Sequence, residues 1–314
     1  MGSEFNLYLH NPVLLKESID NLNIKENGIY VDGTLGGGGH SFEILGKLNG
    51  TGKLIAFDQD EVAIIEGRKK FQDHENAILI HDNFSNIKNR LEDLNIKNID
   101  GMLLDIGVSS MQIDDPKRGF SYIHDANLDM RMDRTRDFSA FNIVNEYSRN
   151  DLEKIIFKFG EDRFARNIAK NICEYRENKQ IETTFELVDI LKKSIPSKYH
   201  KFGHPAKRTF QALRIETNKE LYVLEKVIDD SIPIMSIGAR LAIITFHSLE
   251  DRIVKLKFRE LAKGCICPKD FPICVCNNKP IVKVLTNKPI IPNEEEMKSN
   301  SRSTSAKLRV CEKL

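Results

Sequence analysis

Gly28-Ile29-Tyr30-Val31-Asp32-Gly33-Thr34-Leu35-Gly36-Gly37-Gly38-Gly39-His40-Ser41 is an apolar run that ends in an acid and passes directly into a glycine cluster. Ser41–Leu48 then has a helical period, with Phe42, Ile44, Leu45 and Leu48 on one side. A glycine loop between a strand and a helix is where an open α/β sheet binds its ligand: the glycines admit close approach and the helix N–H groups face an anionic group. The dinucleotide fingerprint G-x-G-x-x-G is not met, because its last position falls on Ser41 or Phe42, and no G-x-x-x-x-G-K-[ST] run exists.

The same alternation continues outward. Strands are predicted over Gly28–Asp32, Lys53–Asp58, Ala77–His81 and Ile99–Asp105, with a helix over Glu61–Phe71, the pattern of a parallel sheet made of βαβ units. Asp58 closes the second strand, where a carboxylate can accept from both ribose hydroxyls of an adenosine. A glycine loop with that acid suits S-adenosylmethionine as well as a dinucleotide, and the missing third glycine favours the former. Asp105 closes the fourth strand in Leu104-Asp105-Ile106-Gly107-Val108-Ser109-Ser110; it can accept an N–H from an exocyclic amine, orient the methionine part of a cofactor, or simply cap the turn.

Beyond about Gln112 the strands stop. Helical periods follow at Asp151–Phe159, Arg163–Glu174 and Thr184–Ser194, and strand character returns at Ala239–Phe246, Ile281–Leu285 and Ala306–Glu312, with a helix over Ser248–Leu261 between. This predicts a discontinuous sheet domain, 1–112 and 213–314, with a helical insertion at 113–212.

Lys+Arg 47 against Asp+Glu 46 gives +1 over 314 residues, so nucleic-acid contact has to come from a local patch. No apolar run is long enough to cross a bilayer, which predicts no membrane partner, and Met1–His10 lacks a basic region followed by an apolar one. Six cysteines without such a leader predict reduced thiols in a cytoplasm. Cys265, Cys267, Cys274 and Cys276 form C-x-C, six residues, C-x-C, with turns at Pro268 and Pro272; the spacing allows tetrahedral zinc, with unliganded surface thiols the default. Cys173 and Cys311 read as small buried apolar residues. The stretch Lys198–Arg208 interleaves cations with Tyr199 and Phe202, and Arg131, Arg134 and Arg136 lie near the start of the insertion. Phosphate contact with base stacking suits single-stranded RNA, while a solvated face is the plain alternative.

Longer strings resemble one family, the bacterial 16S ribosomal RNA cytosine N4-methyltransferases called RsmH or MraW. They are His10–Leu15, Tyr30–His40, Leu104–Ser110 with Gln112, Arg118-Gly119-Phe120-Ser121-Tyr122, Leu128–Asp133, Gly160–Ala165, His204–Ile215, Thr245–Arg252 and Ser305–Arg309, in order along nearly the whole chain. The resemblance implies an α/β, Rossmann-like class I S-adenosylmethionine-dependent methyltransferase with a helical insertion domain. The implied reaction methylates the exocyclic N4 amine of a cytidine in the decoding region of 16S ribosomal RNA, on the small ribosomal subunit. Its cofactor contacts fall on Gly38, Gly39, His40, Asp58, Phe84, Asp105 and Gln112. Asp105 is the first candidate for the amine's hydrogen-bond acceptor, and the step itself calls for no metal. His247, at the end of the fifth strand, either helps place the base or is structural. The rivals are a nicotinamide oxidoreductase and an RNA-binding assembly factor with a cofactor-like pocket. S-adenosylhomocysteine binding separates them.

Overall fold

A computed structural model of the chain describes residues 12–268, Phe271, Ile273 and 275–314; His10 and Asn11 of the first matching string, and Pro272 and Cys274 of the cysteine segment, lie outside the described residues. The chain forms two compact units, one of the described residues up to Gly107 with Tyr222–Leu314, the other Val108–Leu221. The division falls at 107 and 222, against the expected 112 and 213. The reason is local: the short helix opening at Ser110 and the whole helix Lys207–Asn218 belong with the insertion.

The first unit contains α1 (Leu15–Leu22), β1 (Ile29–Asp32), α2 (Gly39–Gly46), β2 (Lys53–Asp58), α3 (Glu61–Lys70), β3 (Ala77–His81), α4 (Ile87–Asp93) and β4 (Ile99–Asp105). The insertion follows as α5 (Ser110–Asp114), α6 (Ala140–Glu146), α7 (Arg149–Gly160), α8 (Ala165–Arg176), α9 (Thr184–Ser194) and α10 (Lys207–Asn218). Then α11 (Glu220–Ser231), β5 (Met235–Thr245), α12 (Ser248–Leu261), β6 (Val282–Val284), α13 (Glu294–Ser299) and β7 (Lys307–Lys313) complete the chain.

The sheet has seven strands in the order β3-β2-β1-β4-β5-β7-β6. The first five are parallel, and β7 runs antiparallel to both β5 and β6. Side chains alternate between its faces with the two-residue period of a strand. Ile55, Phe57, Met102, Leu104, Leu241 and Ile243 share one core with residues of α4, α11 and α12; Leu54, Ala56, Leu103, Ala242 and Ile244 share the other with residues of α1, α2 and α3. Sheets covered on both faces need strands apolar at every position, which is why these runs are visible in the sequence. Tyr30, only 1 % exposed, lies across Gly28 and Gly101, where an added Cβ would meet its ring at 2.7 and 2.6 Å, and its hydroxyl accepts from the Lys25 N–H at 2.8 Å.

The second unit has its own core of Leu128, Met130, Val144, Ile156, Ile168 and Leu191 among others. Three of the matching strings meet there through buried polar groups. Asn218 accepts from the Met132 N–H and donates to the carbonyls of Met130 and Arg214, all at 2.8–2.9 Å. Arg118 donates to the carbonyls of Arg131 and Met132. Gly119 takes φ +71°, and an added Cβ would sit 2.4 Å from the Asn127 carbonyl oxygen, so no other residue fits that turn.

Candidate active site

The parallel strands all point their carboxyl ends at one edge, and three of those ends are acids. Asp32 is fully buried, accepting from Ser41 Oγ at 2.7 Å and from the Thr34 N–H at 3.0 Å. It thereby ties the start of α2 to the end of β1. Thr34 Oγ1 in turn accepts from the Asp105 N–H at 2.7 Å, joining the glycine loop to β4.

Within the loop the glycines do different work. Gly38 caps α2 in a left-handed conformation, φ +69°. Gly39 lies against Pro12, whose Cγ would be 2.1 Å from an added Cβ. Gly37 faces open space, with nothing within 4 Å of such a Cβ. The loop is held from outside by Lys70, whose Nζ donates to the carbonyls of Gly37 and Gly38 at 2.9 and 3.0 Å; burial lowers the pKa of this ammonium. Of the expected cofactor residues, Gly38 sets backbone direction and Gly39 packs on Pro12, while Gly36 and Gly37 have open space on the side where a Cβ would stand.

Asp58 accepts from the Gly36 N–H and the Asp60 N–H, each at 2.8 Å. Burial pushes its carboxyl up to about 6; those two N–H groups pull the other way, and the charges of Asp60 and Asp32 add to the rise. Phe84, the first residue after the turn at the end of β3, places its Cβ 3.2 Å from where a Gly33 Cβ would stand, so it flanks the root of the loop.

Asp105 is the most perturbed group. Its side chain is 22 % exposed, yet Oδ1 is buried and accepts no hydrogen bond. Burial, followed by the charges of Asp32 and Glu250, pushes the carboxyl up to about 8. Oδ2 lies 3.8 Å from His40 Nδ1, and His40 Nε2 lies 3.2 Å from the Val13 carbonyl oxygen. A carbonyl only accepts, so Nε2 carries the proton and, in the neutral ring, Nδ1 presents its lone pair to Asp105. The expected His40 is therefore beside the acid at the end of β4.

Gln112 belongs to the second unit. Its side-chain oxygen accepts from the Ser109 N–H and its own N–H donates to Ser109 Oγ, a capping box that opens α5. His247 caps α12 and lies 2.9 Å from Glu250, a carboxylate 2 % exposed that also accepts from the N–H groups of Phe246 and His247. Arg131 differs from its place in an open cationic cluster: its guanidinium grips Asp129 through two bonds and donates to the Arg136 carbonyl. Sequence reasoning missed Asp32 and Glu250. The signals were there, a third strand-end acid and a Glu three residues after His247.

Asp32, Asp58, Asp105 and Glu250 make this crevice acidic, and Asp32 is close enough to raise the carboxyls of both Asp58 and Asp105. Such a field opposes the pyrophosphate of a dinucleotide and suits a ligand that carries a sulfonium and an ammonium. Open backbone at Gly37 and a carboxylate at the end of β2 fit its loop and ribose requirements, and the orphaned carboxylate oxygen at the end of β4 is left for an amine. Fold and site together define a Rossmann-like methyltransferase that uses S-adenosylmethionine.

The sequence profile of the MraW methylase family matches residues 7–314, and the chain belongs to that family. A relative from Clostridium botulinum, the ribosomal RNA small subunit methyltransferase H, is 57 % identical over 307 residues, 98 % of this chain and 99 % of that one. Its namesake from Finegoldia magna is 55 % identical over 310 residues, with the same coverage. Among solved structures, an rRNA methylase from Streptococcus thermophilus superposes with TM-score 0.41 at 12 % identity, covering 96 % of this chain and 93 % of that one, a likeness too slight to bear on a fold the strand order settles.

Proposed function

We propose that this methyltransferase acts on small-subunit ribosomal RNA, transferring a methyl group to the exocyclic N4 amine of one cytidine in the decoding region. The substrate class is the one that relatives at 55–57 % identity are named for. A ribosomal substrate implies a cytoplasmic protein, and among the described residues no helix is long and apolar enough to cross a membrane.

One observation carries the chemistry: the buried Oδ1 of Asp105 has no protein hydrogen-bond donor, at the strand end where an incoming amine would stand. S-adenosylmethionine, when bound, supplies an already activated methyl group. The chain's task is alignment and proton removal. A cytosine amine is a weak nucleophile because its lone pair is delocalised into the ring. An ionised Asp105 accepting one amine N–H lets the nitrogen pyramidalise, and takes the proton released as the new N–C bond forms. His40 Nδ1, beside Oδ2, is placed to receive that proton next. Gly38, Gly39 and His40 open the helix at the cofactor site, where Asp58 would take the ribose, Phe84 would flank the adenine and Asp105 would complete the set. RNA is held by the insertion, where Lys201, Lys207 and Arg208 are exposed and Arg149, Arg163, Arg166 and Lys170 line a cleft with Phe164. Arg163 also lies 4.1 Å from the centre of the Tyr199 ring.

The test is nucleoside mass analysis of small-subunit RNA after incubation with the purified chain and S-adenosylmethionine. N4-methylcytidine should form at one decoding-region site, and the Asp105→Ala variant should form none. Methylation of another base, or of carbon or oxygen, would refute the assignment.

A further inference from the structure

Residues 262–281 join α12 to β6 without regular structure among the described residues, a long connection for a compact unit. Beyond Ala262, which packs on the core, the described side chains Ile266, Ile273 and Val275 are 56 %, 74 % and 67 % exposed and do little to order it. Its thiols nevertheless converge. The sulfurs of Cys265, Cys267 and Cys276 all lie within 4.8 Å of one another, and those of Cys265 and Cys276 are 3.7 Å apart. Two ligands of a tetrahedral zinc ion with Zn–S bonds of about 2.3 Å stand about 3.8 Å apart, so this separation is that of a ligand edge; a disulfide would need about 2.0 Å.

The backbone around the sulfurs is arranged for charge. The N–H groups of Ile266 and Asn278 point at Cys276 Sγ at 3.3 and 3.5 Å, and that of Val275 points at Cys267 Sγ at 3.3 Å. Donors aimed at sulfur stabilise thiolates and fix ligand orientation around a metal. The base of the loop is clamped by Asn278, whose amide donates to the carbonyls of Lys263 and Gly264 at 2.9 and 2.7 Å.

We propose that Cys265, Cys267 and Cys276 bind one zinc ion as thiolates, three corners of a tetrahedron, and that this ion orders the α12–β6 connection. The site is structural. α12 starts at the acidic crevice and, at 14 residues and about 1.5 Å per residue, carries the chain some 20 Å away before the first of these cysteines. Each thiol that binds loses its proton to solvent as the Zn–S bond forms, so no oxidant or reductant is involved.

The experiment uses the full chain, purified under reducing conditions with added zinc and then passed into metal-free buffer, with bound metal measured by elemental mass spectrometry. About one zinc per chain is expected, falling at least about tenfold in the Cys265→Ser/Cys276→Ser double variant, whose S-adenosylhomocysteine binding reports that the sheet unit is intact. Cobalt(II) added to the metal-free wild-type chain should give the intense visible and sulfur-to-metal charge-transfer bands of a tetrahedral thiolate site, a readout that does not depend on the variant folding. Wild-type chain holding no more zinc than the double variant, or a Cys265–Cys276 disulfide found in protein alkylated at cell lysis, would overturn the proposal.

Discussion

At the scale of single residues, the active site turns on carboxylates that are difficult to ionise. On the proposed function Asp105, pushed up to about 8 in the unliganded chain, must lose its proton before it can take one from the amine, so single-turnover methyl transfer should rise with pH and level off once Asp105 is ionised, with a midpoint no higher than about 8. Asp105→Asn should lower that rate far more than it lowers RNA binding, and should flatten the pH dependence; an equal fall in cofactor affinity would make Asp105 a cofactor ligand only. Stability follows the same group with the opposite sign. Because its folded pKa lies above the ordinary 3.8, the folded state keeps a proton that the unfolded chain has lost, and stability falls as pH rises from about 4 to about 8. Asp105→Asn should remove its share of that slope from a denaturant titration series, leaving the part between about 4 and about 6 that Asp58 contributes. Asp58, at about 6, predicts S-adenosylhomocysteine affinity that declines as pH falls through 6, since the carboxylate accepts from ribose hydroxyls more strongly than the neutral carboxyl does. Asp58→Ala should cost about 1.5–3 kcal/mol of cofactor binding in a calorimetric titration and leave RNA affinity unchanged.

Elements place these residues. The end of β5 and the first turn of α12 bring Glu250 within electrostatic reach of Asp105, while its carboxylate satisfies two N–H groups at the helix start. Glu250→Gln keeps an acceptor for those groups and deletes the charge. The fold should survive, and the pH midpoint of methyl transfer should move down because a like charge is gone. Glu250→Ala removes the acceptor as well and should cost about 1–2 kcal/mol in thermal or denaturant unfolding. A rate profile unchanged in Glu250→Gln would separate Glu250 from the reaction. The glycine loop shows the same dependence of site on element: Lys70, in the last turn of α3, fixes two of its carbonyls from 32 and 33 residues away in the chain.

For the whole molecule, the proposed function divides the work between the two units, acids and glycines of the sheet unit for the cofactor and exposed cations and aromatics of the insertion for RNA. Lys201→Ala, Lys207→Ala and Arg208→Ala together should weaken small-subunit RNA binding and reduce the slope of log affinity against log salt by about 0.7–0.9 for each phosphate left without its cation. S-adenosylhomocysteine affinity should not change; an unaltered RNA slope would make this patch a solvated face. Much of this architecture was legible in advance. The strands Lys53–Asp58, Ala77–His81 and Ile99–Asp105 and the helices Thr184–Ser194 and Ser248–Leu261 have the bounds read from periodicity, because a doubly covered sheet demands unbroken apolar runs and a helix packed on one side demands a 3.6-residue stripe. The helices α1, α4, α10 and α11 escaped that reading, since mixed charge hides their buried stripes. Strand-end acids and the glycine loop, being local features, were likewise fixed by the chain's own order. Which glycine faces open space, that Glu250 and Asp32 raise Asp105, that His40 turns its lone pair toward it, and that Arg131 is consumed by Asp129 were decided only by tertiary structure, because burial, charge proximity and hydrogen-bond partnership are properties of distances across the fold.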